Sequence, residues 1–207
     1  MNQPEHLFVR SEKEFRFYQN LVDHVFDQNK RLPQQVFRKN FDCFLFQEFE
    51  WVLSDDILPT IKDLLNSTSD REFLTAVLKP DPVDYYFKEF GYYNWLKASV
   101  NISGEDYVNA LWTHPKGSIA NNIITNSNIV VWLSRSLQWA ILADRDLEIC
   151  IIRYGIKKRL SPKYFIRKRM ETQDHSVLAN WLELLFNQEK LTNEYFTRFQ
   201  SNYSKLD

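Results

Sequence analysis

Three pairs of closely spaced carboxylates have the residue types and spacing that could do chemistry: Glu48 and Glu50, Asp55 and Asp56, and Asp144 and Asp146, the last pair flanking Arg145. Two carboxyl groups facing each other across a cleft supply the acid and the nucleophile or base of a glycosidase. Each pair also has a local explanation. In a strand, Glu48 and Glu50 share a solvated face opposite Phe49 and Trp51. Asp55 and Asp56 cap the helix predicted by the following "ILPTIKDLLNS", in which Pro59 falls in the first turn. Residues 144–146 separate two apolar runs and read as a turn between strands. The local explanations outweigh a phosphodiesterase or glycosidase site.

Other catalytic groups are scarce. His6, His24, His114 and His175 are scattered, with no HExxH and no cysteine at metal-ligand spacing, so no metal and no cofactor is expected. There is no G-x-S-x-G elbow and no glycine-rich phosphate loop. Cys43 and Cys150 sit in apolar surroundings, "FDCFLF" and "LEICII", and read as reduced core residues; a thiol inside an apolar strand has a raised pKa and low reactivity. The motif "THPKGS" reads as a turn. An enzyme is not expected.

Charge is distributed unevenly. Residues 1–152 hold 15 Lys+Arg against 21 Asp+Glu, and residues 153–207 hold 11 against 6. Eight basic side chains crowd one stretch without an acidic residue: Arg153, Lys157, Lys158, Arg159, Lys163, Arg167, Lys168 and Arg169. Such a stretch contacts phosphates, with Tyr154, Tyr164 and Phe165 placed for stacking, or docks an acidic protein, or is simply a solvated connection. The aromatic-dense segment "YYFKEFGYYNW" has a similar ambiguity between a stacking platform and core packing.

These residues must be carried by a folded chain. Hydrophobic residues make up 44% and aromatics 15% of the 207 residues, too many for disorder, while Gly 4 and Pro 7 disfavour a turn-rich β-sandwich. No basic leader precedes an apolar run and no window approaches the ~18 apolar residues of a membrane span, so a cytoplasmic protein without membrane contact is expected. Ser11 and Glu14 form a capping-box pattern ahead of a helix whose stripe is Phe15, Tyr18, Leu21, Val22, Val25 and Phe26. Ser69 and Glu72 repeat that spacing. "FDCFLFQEFEWVL" is left between strand and helix, as is "REFLTAVLK". Ser103 caps "GEDYVNALWTH", and "SIANNIITNS" reads as a further short helix. "NIVVWLS", "QWAILA" and "LEICIIRY" read as three strands. Two helices follow, one capped by Asp174 and one opening at Thr192.

The expected fold is therefore α+β, an antiparallel β-meander flanked by N-terminal and C-terminal helices. Residues 1–207 form a single domain, with 171–207 left open as a C-terminal helical extension.

One segment, "SLQWAILADRDLEICIIRY", resembles immunity proteins of bacterial polymorphic-toxin and contact-dependent growth inhibition systems. In those a W-A-I strand, a D-R-D turn and an E-I-x-I-I strand stand late in an α+β domain. The matching residues are Trp139, Ala140, Ile141, Asp144, Arg145, Asp146, Glu148 and Ile149, about a tenth of the chain. The resemblance implies a cytosolic, non-enzymatic antitoxin that binds and neutralises one cognate protein toxin. The basic stretch departs from the acidic character of such proteins where they mimic nucleic acid. Aromatic residues and arginine are favoured binding anchors, so the exposed members of Tyr92, Tyr93, Trp95, Trp112 and Arg145 are the candidates for partner binding. A nucleic-acid-associated protein using residues 153–169, or an enzyme with an unrecognised site, are the alternatives.

Overall fold

In the computed structural model, which describes residues 4–41, 43–155 and 193–203, Ser11 caps helix α1, Glu12–Val25, by accepting the Glu14 amide at 3.3 Å. Half of the expected capping box forms. The Glu14 carboxylate turns away from the cap and pairs with Lys97 on a neighbouring strand. Phe15, Tyr18, Val22 and Val25 are the buried stripe.

The ambiguous stretch that follows is both things in turn: strand β1, Cys43–Glu48, then the short helix α2, Phe49–Val52. Glu48 and Glu50 therefore lie on different elements and do not share a strand face. Ser54 caps the 3-10 turn Asp55–Ile57 by accepting the Asp56 amide, so the two aspartates sit inside the turn and do not cap the helix. Helix α3, Leu58–Thr68, carries Pro59 in its first turn, as its sequence predicts.

At Ser69 the second capping-box pattern fails. Ser69 ends α3 in a left-handed conformation, φ 61°, and its amide bonds back to Leu65. Glu72 then opens strand β2, Glu72–Lys79. Spacing alone cannot separate a helix start from a helix stop when the polar residues suit both. A π-helical turn, Pro82–Phe87, and helix α4, Lys88–Phe90, lead to strand β3, Trp95–Ser99. Ser103 caps α5, Gly104–Leu111, as expected. No helix forms over 118–127; the Asn, Ser and Thr side chains there bond to the backbone in its place.

Strands β4, Ile129–Ser134, β5, Trp139–Asp144, and β6, Ile149–Tyr154, form the meander. They are half of one sheet of order β1-β6-β5-β4-β2-β3, antiparallel at every pairing. The fold is α+β, with helices at both ends of the chain. Leu45 of β1 faces Ile152 of β6, and Thr75 of β2 faces Trp132 of β4.

Both faces of the sheet are buried. On one, Trp132, Trp139, Ile141 and Ile152 pack against α2, α3 and α5; on the other, Trp95, Val131, Leu142 and Ile151 pack against α1 and the loop that follows it. Helix α6, Asn193–Tyr203, adds Phe199 and Tyr203 to this second core. The Tyr203 hydroxyl donates to the Gln34 carbonyl at 2.7 Å and accepts the Val36 amide at 3.1 Å. The expected helix capped by Asp174 lies outside the described residues. None of the helices among the described residues is long and apolar enough to cross a membrane.

Because Tyr203 is buried, removing its hydroxyl leaves the Val36 amide unpaired. Tyr203→Phe is expected to lower stability by about 1–2 kcal/mol, with an unchanged denaturant slope in urea unfolding. A change under ~0.3 kcal/mol would mean that α6 is not seated on the loop as described.

Candidate functional site

The structure separates the five proposed anchors. Tyr92, Tyr93 and Trp95 are 6%, 2% and 1% exposed and belong to the core. Tyr93 stacks on Phe15 at 3.9 Å and on Phe87 at 4.4 Å, and the Trp95 indole donates to the Val77 carbonyl at 2.8 Å. A sheet covered on both faces needs large rings on both, and the aromatic-dense segment supplies them. Trp112, by contrast, stands 50% exposed just past the end of α5.

Arg145 is engaged within the chain. Its guanidinium donates to the carbonyls of Ser127, at 2.7 Å, and Ile124, and lies 4.5 Å over the Phe49 ring. Its remaining amino group reaches the exposed Glu50 carboxylate only at 3.5 Å. Arg153, the first residue of the basic stretch, is buried over the rings of Phe37 and Phe41 and donates to the Phe41 carbonyl at 3.2 Å. It is not part of an exposed patch. Lys157, Lys158, Arg159, Lys163, Arg167, Lys168 and Arg169 lie outside the described residues.

The carboxylate pairs are not assembled into a cleft. Asp144 is the last residue of β5, not a turn residue; the turn begins at Arg145 and Asp146 is exposed. Burial, with Asp146 nearby, pushes the Asp144 carboxyl up to about 6, against the hydrogen bond it accepts from the Leu147 amide at 3.3 Å. The Cys150 thiol is enclosed on all sides and burial pushes it well above its ordinary value. The side chain of Cys43 lies outside the described ones. Among the described residues, no three His, Cys, Asp or Glu side chains are grouped to hold a metal ion.

What the fold does present is the connection 112–128 between α5 and β4. Connections beyond ~12–15 residues without regular structure are uncommon in compact domains and are often functional. This one is pinned from two sides of the sequence. From the segment before it, Tyr85 donates to the Asn121 side chain at 2.7 Å, Tyr92 to the Asn121 carbonyl at 3.1 Å, and Tyr86 to the Asn126 carbonyl. From the segment after it comes Arg145, whose backbone amide also donates to Asn128 at 2.8 Å. Within the loop, Asn122 bridges the Ile119 carbonyl and the Thr125 amide, each at 2.9 Å. Ile123 is its buried foot, in the core with α5. Burial raises the Tyr86 and Tyr92 hydroxyls above the ordinary tyrosine range, which keeps them protonated as donors.

The outer side of this loop exposes Trp112 and Ile119 among polar residues such as His114, Lys116 and Thr125. Among the described residues, four of the five large apolar side chains open to solvent, Val83, Tyr85, Trp112 and Ile119, stand on it or on the π-helical turn bonded to it. Ile119 is 75% exposed. Of these four, Trp112 is a partner-binding candidate from sequence and Tyr85 lies in the aromatic-dense segment read as a stacking platform or core packing. For Ile119 the available signal was an isoleucine between Ser118 and Ala120 in a run rich in Asn, Ser and Thr. The exposed rings and aliphatic groups of this surface can bind by being buried. Comparison with models of known protein families, with curated proteins and with solved structures finds no match.

The Asp144 carboxyl gives the structure a pH signature. Its folded pKa lies above its unfolded one, so between about pH 4 and pH 6 the folded state binds more protons and stability falls as pH rises; above that window the penalty is constant. Asp144→Asn keeps an acceptor for Leu147 and is expected to raise stability by roughly 2–3 kcal/mol at pH 7.5. The gain should shrink to nothing near pH 4 when urea unfolding is followed across pH. A gain independent of pH would rule out the buried charge as its cause.

Proposed function

We propose that this chain is an immunity protein, a cytosolic antitoxin that binds and neutralises the toxic domain of a cognate secreted toxin without a catalytic step. The observation that carries the reading is the pinned loop 112–128, which holds Trp112 and Ile119 open to solvent while its backbone groups are bonded within the chain.

Large apolar side chains exposed in this way lack a partner in the monomer. Enclosing one is worth about 1.5–3 kcal/mol, and binding energy concentrates in a few such anchors. Ordering a loop on contact costs affinity, and a loop already ordered avoids that cost. The residues that carry the resemblance to immunity proteins also support the reading. Trp139, Ala140 and Ile141 lie in β5, Ile149 opens β6, and the turn between them supplies Arg145 to the loop.

The reading expects a large secreted toxin to be encoded directly upstream of this chain, and the C-terminal domain of that toxin is the probe; absence of such a gene would refute the reading. Trp112→Ala and Ile119→Asp should each weaken binding of that domain about 30-fold or more, equivalent to ~2 kcal/mol, by titration calorimetry or surface plasmon resonance. Neither substitution should alter urea unfolding by more than ~0.5 kcal/mol, since both side chains are exposed. Unchanged affinity in both variants would remove the loop as the docking face. No binding of the wild-type chain would refute the antitoxin reading.

A further inference from the structure

We infer that Arg145 is the positioning residue of the recognition loop: it touches no partner and sets affinity by holding residues 113–128 in their binding conformation. The inference rests on the docking face proposed above.

The geometry that points to it is how the guanidinium divides its donors. Nε bonds the Ser127 carbonyl at 2.7 Å and Nη2 the Ile124 carbonyl at 2.5 Å, two acceptors on one turn of the loop. The planar fork can serve both at once, while its face rests on Phe49 of α2 at 4.5 Å. The adjacent backbone amide takes the Asn128 carbonyl, so one residue of the β5–β6 turn fastens the loop at three points. The tyrosines Tyr85, Tyr86 and Tyr92 fasten the loop at Asn121 and Asn126, and the Ile123 amide donates to the Leu111 carbonyl at 3.1 Å. In the stretch leading into β4 the Asn128 amide donates to the Lys79 carbonyl at 2.7 Å, and Arg145 supplies the side-chain bonds there. The bond to Glu50, long and with an exposed carboxylate, is incidental to this role.

A lysine would keep the charge over Phe49, but a single ammonium group cannot reproduce the fork. That makes Arg145→Lys the informative variant, with Glu50→Gln as its control. Amide hydrogen exchange of the free protein reads loop order without any partner. The expected result is exchange at least tenfold faster over residues 119–128 in Arg145→Lys, with the amides of β4, β5 and β6 unchanged, and wild-type exchange in Glu50→Gln. Binding of the same upstream-encoded toxin domain should weaken at least tenfold. A double-mutant cycle should show this loss to be non-additive with Ile119→Asp, because a disordered loop no longer presents Ile119.

Unchanged loop exchange overturns the positioning role whatever the partner proves to be. Faster exchange with full affinity shows a fastened loop that is not the docking face, which removes both this role and the face proposed above. A uniform rise in exchange across the sheet reduces Arg145 to general stability and also overturns it.

Discussion

Every residue of β4 and β5 is buried, and the architecture follows from that constraint. An antiparallel sheet commonly keeps one face in water, which alternates apolar and polar residues along each strand. Here successive residues of "IVVWLS" and "WAILAD" alternate between two cores. Both faces must then be roofed. Helices α2, α3 and α5 cover one, while α1, the loop after it and α6 cover the other. The Trp132 indole is met inside, donating to the Tyr107 hydroxyl at 3.0 Å, and burial pushes that hydroxyl up to about 12, whereas the buried Trp139 indole nitrogen has no hydrogen-bond partner among the described residues.

Two-sided burial also decides what could be read from the sequence. Helices α1 and α5 were legible because a serine cap stands before a stripe of period 3.6, and the meander because β-branched runs are punctuated by short polar breaks. Strand β2 was not separable from a helix, since six consecutive buried residues erase the period-two signal. The run through β1 and α2 fits neither template because the element changes in its middle. Tyr92, Tyr93 and Trp95 were candidates for the surface and went to the interior for the same reason, the demand of two cores for rings. The role of Arg145 was out of reach. A charged residue between strands reads as turn chemistry, and its partners lie 18 and 21 residues upstream.

The connection 112–128 shows how irregular backbone can be held firmly without a helix or strand of its own. Its groups are met by side chains from neighbours: the hydroxyls of Tyr85, Tyr86 and Tyr92, and the guanidinium of Arg145. Asparagine is suited to the inside of such a loop because one side chain offers both a donor and an acceptor at short reach, as Asn122 does. The result is a surface fastened largely by donors that lie outside the loop itself.

The strand order has a consequence for how the chain comes into being. Leu45 meets its partner, Ile152, only after more than half of the chain has followed it. On a ribosome, β2, β3 and β4 can pair as they emerge, and β5 and β6 extend that sheet one hairpin at a time. Strand β1, made first, is zipped on last. Until then the apolar side chains of β1, Leu45 and Phe46, lack their lasting cover, and such late closure over a large loop slows folding.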